Sequence, residues 1–138
     1  MVLGQTGGEA VIVAGIGSRK GVSAAQVMAA IEAALKEHGL LLPALSLLAT
    51  ARMKQDEVGI IAAGGVLNVP VILVDGEVLK EMSDRTLSHS QASLSSTGTP
   101  SVSEAAALAA AGDGARLAGP RVAVGPVTCA IAFGGDDQ

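Results

Sequence analysis

Three glycines and two cations follow an apolar run near the start of the chain, in the stretch "VIVAGIGSRKGVSAAQV". Gly15, Gly17 and Gly21 are typical of a tight turn, and Arg19 and Lys20 lie between the last two of them. A helical pattern begins directly after this turn, so both cations lie at the end of a helix that is already positive. Positive charge concentrated in this way favours the binding of an anion.

The best-known phosphate-binding motifs do not match these glycines. A dinucleotide fingerprint follows G-x-G-x-x-G, whereas the glycines here follow G-x-G-x-x-x-G, and a Walker loop is absent. No acidic residue with a clear ribose-binding role ends the next predicted strand. Nucleotide binding, a plain glycine-rich turn with solvated cations, and a site for a different anion are the interpretations that stay open.

Composition excludes nucleic acid and membranes as expected partners. The net charge is −4 and Phe133 is the only aromatic residue, so the chain lacks both the basic surface and the aromatic faces that nucleic acids require. No apolar run reaches the roughly 18 residues that cross a bilayer. Apolar residues make up 49% of the chain, which favours a single folded domain over residues 1–138.

The single cysteine suits a reducing compartment. Cys129 cannot form an internal disulfide bond, and Glu9 interrupts the apolar residues before they reach the length of a signal peptide. We therefore expect a cytoplasmic protein. Cys129 is interpreted as a small buried strand residue, His38 as a helix-end residue and His89 as part of a polar loop. No spacing of these residue types indicates a metal site, and we expect no cofactor.

Strand and helix patterns alternate along the chain. Apolar runs predict strands at 10–16, 45–51, 69–74, 121–124 and 127–133, and helical patterns predict helices at 23–38, 56–67, 77–82 and 101–112. Ser23 with Gln26, and Ser101 with Glu104, form capping-box patterns. This order predicts a three-layer α/β/α fold with a mostly parallel or mixed sheet of about five to six strands. The Ser- and Thr-rich segment 83–99 is predicted to be mostly irregular.

Ligands usually bind where the carboxyl ends of parallel strands meet. That edge would collect the loop after the first strand, "TARMKQDE" after the second and "VDGE" after the third. Arg52 and Lys54, followed by Asp56 and Glu57, could be an ordinary helix start, but beside the cations of the first loop they indicate a larger cationic site. Asp56 and Glu57 are not assigned as an acid–base pair, because adjacent residues point in different directions.

Two motifs taken together indicate a family. "GIGSRKGVS" near the N-terminus and "GTPSVSEAAALAAAG" followed by "VTCAIA" near the C-terminus resemble the CobE and CbiG C-terminal family of cobalamin biosynthesis. The central "LATARMKQDEVGIIAAGGVLNVPV" fits the middle section of that family, and the resemblance covers about residues 11–133. Because the chain has only the C-terminal unit of the larger CbiG-type proteins, it resembles the stand-alone CobE-type protein of the aerobic route.

The resemblance implies a role in building the corrin ring. It implies binding of a polycarboxylate precorrin or hydrogenobyrinic acid-type intermediate, as a carrier or accessory protein. Such a ligand carries many acetate and propionate groups, so its site needs several cations and backbone N–H donors. The expected substrate-binding residues are Gly15, Gly17, Ser18, Arg19, Lys20, Gly21, Lys54, Glu57, Thr99, Ser101 and Glu104.

Two further implications concern a lid and a thiol. The segment 83–99 is a candidate mobile lid over the bound intermediate. Many members of the family carry cysteine after the second glycine, where this chain has Ser18. A reactive thiol at that position therefore cannot be part of the mechanism of this protein.

Two alternative functions stay open. The chain could be an enzyme of the same pathway, a hydrolase or a methyltransferase accessory, with Lys54 or Glu57 in acid–base work; no catalytic residue is assigned. It could instead be a nucleotide-binding or protein-interaction module. Besides the corrinoid intermediate, other enzymes of the cobalamin pathway are candidate partners.

Overall fold

The strand β1 (Ile12–Ser18) lies at the centre of the sheet in the computed structural model, which describes residues 11–89 and 101–134. Two strands extend the sheet in parallel on one side of it. β2 (Leu47–Ala51) pairs with β1, and β3 (Val71–Val74) pairs with β2 and forms the edge. The carboxyl ends of these three strands therefore meet at one edge of the sheet, as the sequence predicts.

Antiparallel strands complete the other side of the sheet. β6 (Val127–Phe133) runs antiparallel to β1 along its whole length. The short strands β4 (Arg116–Leu117) and β5 (Val122–Val124) both pair with the outer side of β6. The predicted strands at 121–124 and 127–133 form a hairpin around Gly125, and the sheet is a mixed one of six strands.

Helices cover both faces of the sheet. α1 (Ala24–Glu37) and α2 (Val58–Leu67) share one apolar core with the sheet. α3 (Gly76–Glu81) and α4 (Val102–Ala111) contribute to a second core on the opposite face. This arrangement confirms the predicted three-layer α/β/α fold. Within the described ranges, no helix is long and apolar enough to cross a membrane.

Side chains of β1 alternate between the two cores. Ala14 and Ile16 lie in the core beneath α1 and α2, whereas Val13 lies in the core beneath α4. Gly15 and Gly17 occupy the α4 side, where no side chain would fit. A Cβ atom at Gly15 would collide with the carbonyl oxygen of Ser103 and lie 2.8 Å from the Ala107 Cβ. Gly15 thus allows the backbone of α4 to lie directly on β1, whereas a Cβ atom at Gly17 would lie 2.7 Å from the Thr128 hydroxyl oxygen.

The two predicted capping boxes have different outcomes. At α1 the Ser23 hydroxyl accepts from the Gln26 backbone N–H at 3.1 Å, and the Gln26 side chain accepts from the Ser23 N–H at 2.9 Å. At α4 the Ser101 hydroxyl accepts from the Glu104 N–H at 3.4 Å, but the Glu104 carboxylate is bound to other donors. The second capping box is therefore only half formed.

Several predicted boundaries shift, and one strand was not predicted. β1 continues to Ser18, and α2 begins at Val58 because Asp56 and Glu57 lie in the turn before it. β4 is two residues long and has no strand pattern in the sequence. It forms by pairing with the side of β6 that faces away from β1. Of the segment 83–99, residues 83–85 form a short 3-10 turn, and residues 90–99 lie outside the described residues.

The contact between β1 and α4 predicts a large effect of Gly15→Ala. The new methyl group has to displace backbone, so we expect the free energy of unfolding to fall by about 2–3 kcal/mol, measured by urea denaturation followed by circular dichroism. The matched control is Gly76→Ala, because a Cβ atom there would have no neighbour within 4 Å. That variant should stay within about 0.5 kcal/mol of the parent protein; equal losses in both variants would contradict the packing argument.

Candidate functional site

The loop after β1, residues 19–22, is held between two other parts of the chain. The Gly21 N–H donates to the Glu57 carboxylate at 2.9 Å, which ties the loop to the residue that precedes α2. On the other side the Arg19 N–H donates to the Pro126 carbonyl at 3.2 Å, in the turn between β5 and β6. We call this segment the β1 loop. Its backbone is fixed at both ends of the Arg19–Gly21 stretch, while its two cationic side chains are exposed.

The starts of three helices surround the β1 loop. α1 begins directly after it, at the N-cap Ser23. The loop approaches α2 so closely that a Cβ atom at Gly59 would collide with the Val22 carbonyl oxygen. α4 begins beside the end of β1, since a Cβ atom at Gly17 would lie 3.6 Å from the Ser103 backbone nitrogen. Each helix start contributes unpaired N–H groups and a partial positive charge to this edge of the sheet.

Among the described residues, no carboxylate forms an ion pair with the cations of the β1 loop, and the Glu57 carboxylate accepts from the Gly21 N–H instead. In the described part of the chain the one ion pair joins Arg52 to Asp75, so Arg19 and Lys20 have no charged partner there. The first turn of α1 also lacks an acidic side chain. Two exposed positive charges next to a positive helix end destabilise the free protein slightly and stabilise a bound anion.

Lys54 and Glu57 lie at the same edge, in the turn that leads into α2. The Glu57 N–H donates to the Lys54 carbonyl at 2.9 Å, and both side chains are half-buried. Glu57 does not cap α2 with its side chain; its carboxylate holds Gly21 instead. The structure therefore brings together the predicted residues of the β1 loop and those that follow β2.

Gly15, Gly17 and Ser18 lie inside β1 rather than in the loop. Gly17 is opposite Thr128 and Ser18 is opposite Val127 in the antiparallel pairing with β6. Gly15 is explained by the contact with α4 and Gly17 by the neighbouring Thr128 side chain, roles that their spacing in the sequence did not indicate. The Ser18 hydroxyl is buried and has no hydrogen-bond partner among the described residues, which is unusual for a buried polar group.

Glu104 is a fully buried carboxylate with four hydrogen bonds. One oxygen accepts from the Leu87 and Ser88 N–H groups at 2.7 and 2.8 Å. The other accepts from the Ser88 hydroxyl at 2.7 Å and from the Arg121 N–H at 2.8 Å. Burial alone would raise the pKa of Glu104, but the bonds from Ser88, Arg121 and Leu87 outweigh it and hold this pKa below its ordinary value.

Glu104 therefore ties α4 to two distant segments. It fixes the chain just before residue 89 and the beginning of β5, and these bonds occupy both of its oxygens. Ser101 is buried at the start of α4, where the Arg121 guanidinium donates to its hydroxyl at 3.4 Å. Thr99, the remaining predicted site residue, lies outside the described residues.

Arg121 is a cation that the sequence did not single out. It stands 17 positions from Glu104 along the chain, at the beginning of a predicted strand, and no motif connects the two residues. The capping-box pattern of Ser101 and Glu104 was the closest indication in the sequence. That pattern predicted only how the helix begins and did not point to Arg121. The fold alone brings the half-buried Arg121 to the start of α4.

An open cleft of about 350 Å³ lies at the carboxyl ends of β2 and β3. Its apolar walls come from both strand ends and from α3, and two cations stand among them; the lining residues are Ala51, Arg52, Met53, Val74, Gly76, Glu77, Leu79 and Lys80. Met53 is 60% exposed. A volume of this size is at the small end of ligand-binding clefts.

The other candidate residues that could titrate or bind a metal are the one cysteine and the two histidines. Cys129 is buried in β6, and burial raises the pKa of its thiol far above the ordinary value, so it is unreactive. His38 ends α1, as the sequence predicts, and His89 is exposed. Among the residues that the structure describes, no group of three or more His, Cys, Asp or Glu side chains could hold a metal ion.

Comparison with known proteins identifies the family. The family model described as "Cobalamin synthesis G C-terminus" matches residues 12–132, which is most of the chain. The chain belongs to this family. It is 31% identical over 121 residues to Protein CobE of Sinorhizobium sp., a match that covers 88% of this chain and 79% of that protein. The resemblance to the CobE and CbiG C-terminal family is thus confirmed.

Solved structures agree with this assignment. The chain is similar to CobE, a protein from the cobalamin (vitamin B12) biosynthetic pathway, at 39% identity and a TM-score of 0.86 over 90% of each chain. It is also similar to the cobalamin biosynthesis protein ChiG from Agrobacterium tumefaciens str. C58, at 48% identity and a TM-score of 0.73 over 91% of this chain and 100% of that one. This member of the cobalamin synthesis G C-terminus family is therefore a cobalamin-biosynthesis protein.

A third structure shares the fold with a longer protein. A cobalamin biosynthesis protein G homolog from Sulfolobus solfataricus is 23% identical, with a TM-score of 0.64 over 91% of this chain. The match covers 37% of that protein. The same fold thus occurs there as one section of a larger chain.

The buried Glu104 predicts a pH-dependent loss of stability in Glu104→Gln. The amide keeps the shape but presents N–H groups to donors, so we expect unfolding to cost about 2–3 kcal/mol less at neutral pH, measured by urea denaturation. The folded-state pKa is depressed, so the stability that ionised Glu104 contributes is present above the ordinary glutamate pKa. It is lost as the pH falls through the folded-state pKa.

The two proteins should therefore differ less in acid than at neutral pH. Glu32→Gln is the matched control, because Glu32 is exposed on α1 and should change stability little at any pH. A difference between the parent protein and Glu104→Gln that stays constant with pH would contradict the assigned hydrogen bonds.

Proposed function

We propose that this protein binds a polycarboxylate corrin intermediate, of the precorrin or hydrogenobyrinic acid type, at the carboxyl edge of its sheet. In this proposal it acts as a carrier or accessory protein that receives and delivers the intermediate within cobalamin biosynthesis. The observation that carries the proposal is the pair of exposed cations at a helix start, Arg19 and Lys20, which form no ion pair with any residue that the structure describes. Membership of a cobalamin-biosynthesis family makes the many carboxylates of a corrin intermediate the anion of choice.

The distribution of cations fits several carboxylates better than one phosphate. Arg19 and Lys20 follow β1, Lys54 follows β2, and Lys80 lies in α3 after β3. Neighbouring strands are about 4.8 Å apart, so the ends of three adjacent strands span about 10 Å. A row of cations on this scale suits acetate and propionate groups arranged around a ring. A phosphate cradle would instead gather its donors around one point.

Apolar contact for the ring is available beside the cations. Ala51, Val74 and Leu79 lie beneath the cleft after β2 and β3 and are at most 6% exposed, so they offer little surface themselves. Met53 is exposed at its side, and methionine adapts readily to an irregular apolar surface. Because Phe133 is the only aromatic residue, aliphatic contact of this kind is what the chain can offer to the face of a macrocycle.

The hydrogen bond of Glu57 favours a binding role for this residue over a catalytic one. Its carboxylate accepts from the Gly21 N–H and so fixes the backbone that carries Arg19 and Lys20. A residue committed to this hydrogen bond positions the loop. The pathway enzyme and the nucleotide-binding or interaction module are the alternatives, and no contact in the described residues favours either of them.

Titration with hydrogenobyrinic acid tests the proposal. The visible absorption of the corrinoid should change on binding, and Arg19→Ala/Lys20→Ala should raise the Kd about tenfold or more because two charge-assisted contacts are lost. The double variant should also show a weaker dependence of affinity on salt. Lys36→Ala is the control, since Lys36 is an exposed cation in the last turn of α1, at its other end. No spectral change with the parent protein would overturn the proposal.

Mass analysis of the recovered ligand separates a carrier from an enzyme. A carrier returns the precorrin or hydrogenobyrinic acid unchanged after incubation, whereas a hydrolase or a methyltransferase accessory yields a new mass. A parallel titration with ATP addresses the third alternative. Binding of ATP with no response to the corrinoid would favour a nucleotide-binding module.

A further inference from the structure

The helix α2 is apolar on all of its sides. None of its ten residues, VGIIAAGGVL, has a polar side chain. One face is buried against α1 and the sheet. The opposite face is in contact with solvent, where Val58 is 77% exposed, Ile61 46% and Val66 69%. A helix that is apolar all round is normally covered all round, so this outer face requires a partner.

The two stretches of chain that build α2 and the strands before and after it contain no charged residue, although Glu57 immediately precedes the helix. Residues 39–51 and 58–74 contain no Asp, Glu, Lys or Arg, and they build β2, α2, β3 and the loops before these strands. We call this part of the molecule the charge-free sector. It also includes Leu41, which is 76% exposed, and Ile72 on the edge strand, which is 39% exposed. Five of the large exposed apolar side chains of the described residues therefore lie in this sector, and clustered exposed apolar residues mark interaction sites.

We propose that a second copy of this chain covers the outer face of α2. Each copy has a net charge of −4, so contacts through most surfaces would bring like charges together. The charge-free sector lets two copies meet without that repulsion, and it offers no charge by which a different protein could be selected. The charge distribution of the chain therefore favours a homodimer over a charged partner.

The outer face of α2 is complementary to itself. Its residues are spaced by three and four positions and alternate in size: Val58, Ile61, Ala62, Gly65 and Val66. In an antiparallel pair of α2 helices with a two-fold axis near Ala62, Val58 meets Val66 of the second copy. Ile61 then faces the small residues Ala62 and Gly65 of the second copy, so that the axes approach to about 8–10 Å. The same contacts form twice, as a closed two-fold dimer requires.

The available area sets the strength of this dimer. A stable interface buries about 800 Å² on each partner, and a helix of ten residues is only about 15 Å long. α2 together with Leu41 and the β3 edge provides the apolar centre of such an interface but little rim. We therefore expect a weak dimer, with a Kd on the order of micromolar.

Sedimentation velocity of the full chain over a wide concentration range tests the dimer. The parent protein should change from monomer to dimer as its concentration rises through the micromolar range. Ile61→Glu should raise the dimer Kd about tenfold or more, because it buries two like charges near the axis. Ala123→Glu makes the same charge change at an exposed position of β5, on the opposite side of the sheet, and should leave the Kd unchanged.

A single introduced cysteine tests the antiparallel arrangement. Cys129 is fully buried, so it does not compete in oxidation. Ala62→Cys should form a disulfide-linked dimer under mild oxidation, because the two copies of this position face each other across the axis. Ala123→Cys should not. A parent protein that stays monomeric at millimolar concentration would overturn the proposal, as would a dimer that Ile61→Glu leaves intact.

Discussion

The contact between β1 and α4 is the constraint on which the rest of the structure depends. Because Gly15 has no side chain, the α4 backbone lies directly on the central strand, and buried alanines fill the remaining space. This contact places the start of α4 beside the end of β1. A larger residue at Gly15 would move the helix, and with it Ser101 and Glu104.

Glu104 extends that constraint to segments distant in sequence. A buried carboxylate is stable only where donors surround it, and here four hydrogen bonds come from two segments on either side of α4 in the sequence. The position of β5 and that of residues 87 and 88 therefore follow from the position of α4. A carboxylate that looked like part of a ligand site is thus bound within the protein, while Arg121 stands beside the start of the helix.

Charge is distributed unevenly over the molecule. The edge where the strands end carries exposed cations beside helix starts. The charge-free sector, by contrast, contains no charged residue in 39–51 or in 58–74. Cations without partners suit a multiply charged ligand. A charge-free apolar face suits contact with another copy of an acidic protein. The two surfaces use opposite physical effects, and they adjoin at the start of α2, where Glu57 precedes Val58.

The sequence by itself determined the order of helices and strands, the family, and the cations at the strand ends. These follow from local patterns: apolar periodicity, a capping box at Ser23, and the motif around Arg19 and Lys20. Only the tertiary structure decided that β6 runs antiparallel beside β1, that Gly15 accommodates α4, and that Glu104 binds Ser88 and Arg121. Those facts depend on contacts between residues far apart in the chain, and a local pattern carries no information about which distant group will fill a space or satisfy a charge.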